Sequence, residues 1–143
     1  MHNNENYLQE MRSLIDIQCQ LQDQQAEYLD TQAQKYEDTI KDIISYGYKF
    51  THPKIKWKST IGPIMTLQNN YLYVYKGNQF VVKISVGNKS VELPSSFKEV
   101  VKVGGFEDAI EGFSSIDSLL QSYVDALHLS IHLLEQQLNQ INE

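Results

Sequence analysis

Residues 120–141 read LQSYVDALHLSIHLLEQQLNQI, and the fold turns on how their apolar positions recur. Leu120, Leu127, Leu134 and Ile141 repeat every seven residues, with Val124, Ile131 and Leu138 set three before the last three. That is a heptad with its a and d positions filled. Such a stripe is narrower than a core-facing helix needs and is most stable when a second helix supplies holes for its knobs. These seven residues are the expected oligomerisation set. Valine and isoleucine at a with leucine at d favour two parallel strands, so a homodimer is the expected assembly.

Upstream of that helix, Asp117 suits the positive end of a helix dipole and Ser114 or Ser115 can cap it. Residues 106–113 read as a bridge with helical turns. Ser96-Phe97-Lys98-Glu99 has capping-box spacing, which predicts a short helix through about Val103, stopped by Gly104-Gly105. Val100, Val101 and Val103 would suit a strand equally well.

Between residues 48 and 95 the period changes from helical to two. Tyr71, Tyr73 and Tyr75 alternate with Leu72 and Val74, then Lys76-Gly77-Asn78 marks a turn. Phe80, Val82, Ile84 and Val86 lie on one face of the next run, and Gly87-Asn88 turns the chain into a short strand through Val91 and Leu93 to Pro94. Ile55 and Trp57 alternate with Lys54, Lys56 and Lys58, predicting a further half-exposed strand held at an edge by Pro53 and Pro63.

From Met1 to Tyr46 there is neither Gly nor Pro, and Leu8, Met11, Ile15, Ala26, Leu29, Ala33, Tyr36, Ile40 and Ile44 step along one face. Leu14, Leu21 and Tyr28 widen it. One long helix follows, with Gly47 as a left-handed cap. The expected fold class is α+β: a long N-terminal helix, a three- to four-stranded antiparallel β meander and a C-terminal coiled-coil helix. Its segments are 1–46 (stalk and oligomerisation), 47–105 (a basic β-rich head) and 106–143 (linker and coiled-coil helix). Connectivity suggests that the two long helices lie antiparallel as a stalk, with Ile40 near Val124, Leu29 near Leu134, and Leu8 to Leu21 overhanging. Two such hairpins would make a four-helix bundle.

Charge follows the same division. Residues 1–46 carry a net −6, residues 47–105 a net +7 and residues 106–143 a net −7, which sum to the chain's −6. The basic middle is also aromatic. Lys54, Lys56, Trp57, Lys58, Tyr71, Tyr73, Tyr75 and Lys83 form the candidate acidic-ligand surface, with lysines for phosphates and rings for bases. Lysine at a strand edge also guards against edge-to-edge pairing, and tyrosines also pack under helices. On the first helix, Asp16, Asp23, Glu27, Asp30 and Glu37 form a candidate acidic protein-binding face, directed at a basic groove of a partner.

Chemistry is not expected. No GxSxG, HExxH, P-loop or kinase pattern occurs. His128, His132 and Glu135 share helical spacing suited to a divalent ion, but they fall at flanking heptad positions, so neither metal nor cofactor is expected. Cys19 is the only cysteine, the first ten residues lack a basic start and an apolar run, and no stretch approaches the roughly 18 apolar residues of a membrane span. The expectation is a cytoplasmic, non-enzymatic, oligomeric protein-interaction module with no membrane contact, an inhibitor or adaptor acting on a macromolecular partner. The alternative is nucleic-acid or nucleotide binding through the basic aromatic sheet.

Overall fold

The protein is described by a computed structural model over residues 3–87 and 91–142. Helix α1 spans Asn3–Ser45, 43 residues with nothing in them to break a helix. It stops where Gly47 enters the left-handed region (φ 78°). There the Gly47 N–H donates to the Ile44 carbonyl (3.0 Å) and the Tyr48 N–H to that of Ile43 (3.2 Å). This paired closure satisfies carbonyls the helix itself leaves open.

Four strands follow: β1 (Ile64–Gln68), β2 (Tyr71–Gly77), β3 (Phe80–Ser85) and β4 (Glu92–Ser95), all antiparallel and in chain order across the sheet. Asn69 and Asn70 (φ 53° and 64°) join β1 to β2, and Asn78 and Gln79 (φ 52° and 65°) join β2 to β3. Positive φ at both central residues matches the right-handed twist of the strands on either side. The Gly87-Asn88 turn and Lys89 lie in part or wholly outside the described residues.

The expected strand around Ile55 and Trp57 does not form; β1 begins only after Pro63. Pro53 and Pro63 each lack the N–H a ladder needs. The intervening loop is instead closed by an isolated bridge between Phe50 and Ser59. Ile55 and Ile61 from this loop cover the outer face of the sheet, where Ile64, Leu72, Val74 and Val82 are buried.

The inner face supplies Met65, Tyr73, Tyr75 and Val81 to the main core. Across from them lie Leu29, Tyr36 and Ile40 of α1, Val100 of α2 (Phe97–Lys102) and Phe113 of α3 (Phe106–Ser114). Residues 100–102 are helical and not a strand, because Ser96 Oγ accepts the Glu99 N–H (3.1 Å) and starts the turn. Helix α3 lies so close on β1 that a side chain at Gly112 would strike the Ile64 carbonyl. Only Ser115 separates α3 from α4 (Ile116–Asn142).

The antiparallel stalk is overturned by the order of contacts. Tyr36 stacks on Phe113 and donates its hydroxyl to Asp117 (3.4 Å), Ile43, seven residues on, lines one cleft with Leu120 and Val124, and Tyr48, just past the end of α1, stacks on Tyr123. Contacts therefore advance along both helices together, and α4 leaves the head past the C-terminal end of α1. Ile40 does not meet Val124 as in a hairpin, nor Leu29 meet Leu134. The sharp return that a hairpin requires is absent because α3, between sheet and α4, starts α4 beside Tyr36, nine residues short of the end of α1.

Candidate assembly and binding surfaces

Two helical arms project from the head. On α1, every residue from Asn3 to Leu21 is exposed, and on α4 every residue from Val124 to Asn142 is exposed, so each arm has 19 residues. At 1.5 Å per residue each is roughly 28 Å long. They leave from opposite ends. The α1 arm departs past Tyr28 and Asp23, which touch Phe106 and Lys98, while the α4 arm departs past Tyr48.

The residues expected to oligomerise fall into a root and a free end. Leu120 is half-buried against the core, and Val124 and Leu127 line a cleft of ≈ 340 Å³ with Ile43, Tyr46 and Tyr48. Ile131, Leu134, Leu138 and Ile141 are 51% to 79% exposed. Leu129 and Leu133, also exposed, lie off the seam on another side of the helix. On the α1 arm Tyr7, Leu8, Met11, Leu14, Ile15, Ile17 and Leu21 are exposed. These arm residues were legible: Tyr7, Leu14, Leu21 and Tyr28 are seven apart. Leu8 and Ile15, one position on from that row, continue at seven-residue spacing the row that α1 buries at Leu29, Tyr36 and Ile43.

The basic aromatic surface is not brought together. Tyr73 and Tyr75 are 3% and 1% exposed, on the inner side of the sheet, so neither offers a face to a base. Alternation put all three tyrosines on one side, and that side is the core. The Tyr73 hydroxyl donates to Glu99 (2.8 Å), and Lys83 Nζ donates to the same carboxylate (2.9 Å) while lying 5.2 Å from the centre of the Tyr71 ring. Burial first, then the Glu99 hydrogen bond, pushes the Tyr73 phenol up to about 12. Burial also acts to raise Glu99, but the bonds from Lys83 and Tyr73 outweigh it and hold that carboxyl below its ordinary value. Glu99 was expected to complete a capping box; its side chain instead ties α2 to β2 and β3.

Lys54 pairs with Glu111 of α3 (2.7 Å), and this bond raises its ammonium above the usual range. Lys56, Trp57 and Lys58 remain exposed on the 48–63 loop, with Trp57 47% exposed and no ion pair to either lysine among the described residues.

The acidic face is partly turned inward. Asp16, Asp23, Asp30 and Glu37 are spaced by seven and so form one stripe along α1. Asp23 pairs with Lys98 (3.1 Å), Asp30 is half-buried beside Gln34, and Glu37 accepts the Asn78 N–H (3.2 Å) at the β2–β3 turn. Asp16 and Glu27 are exposed. The acidic helix thus neutralises part of its own basic head.

Among the described residues no three His, Cys, Asp or Glu side chains are placed to hold a metal ion, His128, His132 and Glu135 included. No helix among them is long and apolar enough to cross a membrane. His52 is buried, with Nε2 donating to the Asp108 carbonyl (2.7 Å) and Nδ1 accepting the Lys54 N–H (3.1 Å), an arrangement that fixes the loop against α3. Compared with known proteins, the chain matches no family profile, and no curated protein or solved structure is similar to it.

Proposed function

We propose that this protein is a non-enzymatic, self-assembling interaction module, in which the arms join copies together and present a macromolecular partner with the surface that remains. One observation carries the reading. The core is complete without the arms, yet both arms keep long apolar faces in water. Contiguous apolar surface on that scale marks an interaction site. Repulsion is a small opponent, because from Ala126 to Asn142 the only formal charge is Glu135. Burying the exposed half of six seam side chains on each of two copies contributes roughly 10 kcal/mol, against an association cost of about 4–15 kcal/mol. One arm pair is therefore near break-even, and more contact is needed for a tight assembly. Leu129 and Leu133, off the seam, supply apolar surface for an inhibitor- or adaptor-type contact with another protein.

The test is mass in solution. Ile131→Asp with Leu138→Asp places charges in the free half of the seam while leaving the head's core intact. Analytical ultracentrifugation is expected to give a dimer for the unaltered chain and a monomer for the double variant, with an unchanged urea midpoint for the dilute head. A monomeric unaltered chain at high concentration would dispose of self-assembly.

A second reading rests on Trp57 and its lysine neighbours. Exposed, on one loop and without an ion pair among the described residues, they suit stacking on a single strand with flanking phosphate contacts. Quenching of Trp57 emission by oligonucleotides that weakens steeply with salt favours it; emission indifferent to oligonucleotide excludes it.

A further inference from the structure

The sequence pattern suggested that α4 pairs with α4, but that arrangement leaves the α1 arm bare. The arms diverge from opposite ends of the head, so no fold of one chain brings them together. We infer that the α1 arm of each copy is covered by the α4 arm of a second copy, the two lying antiparallel, in a closed two-fold dimer with exchanged arms. This inference rests on the self-assembly reading and names its geometry and occupant.

Three observations carry it. The first is continuity: Leu8 and Ile15, flanking the row of Tyr7, Leu14 and Leu21, stand on the seven-residue row that α1 already buries at Leu29, Tyr36 and Ile43, so an occupant of the arm continues an existing packing layer. The second is length, since residues 3–21 and 124–142 are equal in number and a helix laid antiparallel runs flush from end to end. The third is register. Tyr7, Met11, Leu14, Gln18 and Leu21 advance by 4, 3, 4 and 3 residues. Read backwards, Leu138, Leu134, Ile131, Leu127 and Val124 advance by the same steps. One alignment therefore sets all five layers at once, from Tyr7 beside Leu138 to Leu21 beside Val124, with Gln18 the one polar member. An antiparallel pair of α1 arms fits worse, because the same layering sets Leu21 against Asn4 and Tyr7 against Gln18.

Symmetry favours the exchange as well. Two like-with-like contacts at opposite ends of one chain propagate into an open chain of molecules, whereas one two-fold axis that exchanges arms covers both and closes the assembly. Because α4 follows the sense of α1 at their contact, that axis, set across the buried part of α1 near Ala33, sends each α4 arm back along the other copy's α1 arm. The number of apolar side chains taken from water is about doubled relative to a single arm pair.

Complementation decides the matter. One variant carries Met11→Asp and Leu14→Asp, spoiling only the α1 arm; the other carries Ile131→Asp and Leu134→Asp, spoiling only the α4 arm. Each alone is expected to sediment as a monomer. An equimolar mixture is expected to recover a heterodimer, since one intact α4 arm then meets one intact α1 arm, with at least tenfold weaker affinity than the unaltered dimer. A Met11→Asp, Leu14→Asp chain that remains a full-strength dimer overturns the exchange while leaving self-assembly standing, and so does a mixture that stays monomeric. An unaltered chain that is itself monomeric overturns both readings. Circular dichroism and urea midpoints of the two variants, expected to match the unaltered head, separate lost contact from lost fold.

Discussion

The two halves of α1 share one helix and one apolar face, yet they meet opposite fates. From Leu29 to Ile43 that face is buried under α2, α3 and the sheet; from Asn3 to Leu21 it is open to water. Helix propensity does not distinguish them, because once nucleated a helix propagates at little cost. What differs is whether another element reaches the face. Burial here is a property of topology, whereas amphipathicity is a property of sequence.

Truncation in each half tests that separation, and the head carries the larger effect. Phe113 is fully buried, against Tyr36, Tyr75 and Phe97. Phe113→Ala is expected to cost about 3–5 kcal/mol in urea unfolding, independent of protein concentration, because it leaves a cavity where α3 meets three other elements. Ile15→Ala, at an equally apolar position of the same sequence pattern, is expected to leave the midpoint of the dilute protein within about 0.5 kcal/mol. Its effect belongs instead to the concentrated protein, where the midpoint should cease to rise as steeply with concentration. A dilute Ile15→Ala chain destabilised like Phe113→Ala would abolish the distinction between head and arm.

This distinction also explains what the sequence did and did not disclose. The element types, the β2 and β3 strands and the long helices followed from period and from the absence of breakers, which are local properties. The strand Ile64–Gln68 did carry a signal, the Asn69-Asn70 pair that accepts positive φ at both turn positions, but the Lys-interleaved stretch before Pro63 imitated an alternating strand more strongly. The direction of α4 was not legible. It depends on α3 lying tight on β1 at Gly112, a contact between residues far apart in the chain. Likewise the tyrosine row showed which residues share a side of β2, while only the packing of α1 and α2 shows that this side is closed. The heptad pattern of α4 was legible, and the exposure of its apolar positions beyond Leu127 is the observation on which the self-assembly proposal rests.

A smaller effect sharpens the same contrast, because the head encloses polar groups and the arms do not. Tyr73 is buried with its hydroxyl on Glu99, and its phenol is raised from 10.0 to about 12 by burial and then by that carboxylate. A raised acid keeps its proton longer in the folded chain. The stabilisation is therefore complete below the unfolded value near pH 10 and is lost as pH climbs through about 12. Glu99 works in the other direction: its lowered value contributes stability above the ordinary carboxyl range, lost as pH falls through the folded value. Tyr73→Phe removes one hydrogen bond but leaves Lys83 on Glu99, so its cost near neutrality is expected to be about 1 kcal/mol. In return, the fall in urea midpoint between about pH 8 and about pH 11 should be shallower in the variant than in the unaltered protein. Every other ionisable side chain is common to both chains, so the difference isolates this hydroxyl. Tyr7, on the exposed arm, provides the control: Tyr7→Phe should leave the alkaline slope of the head unchanged. Equal slopes for the unaltered and Tyr73→Phe chains would mean that water reaches the Tyr73 hydroxyl, and that the head is less closed to solvent than the packing of α2 on β2 implies.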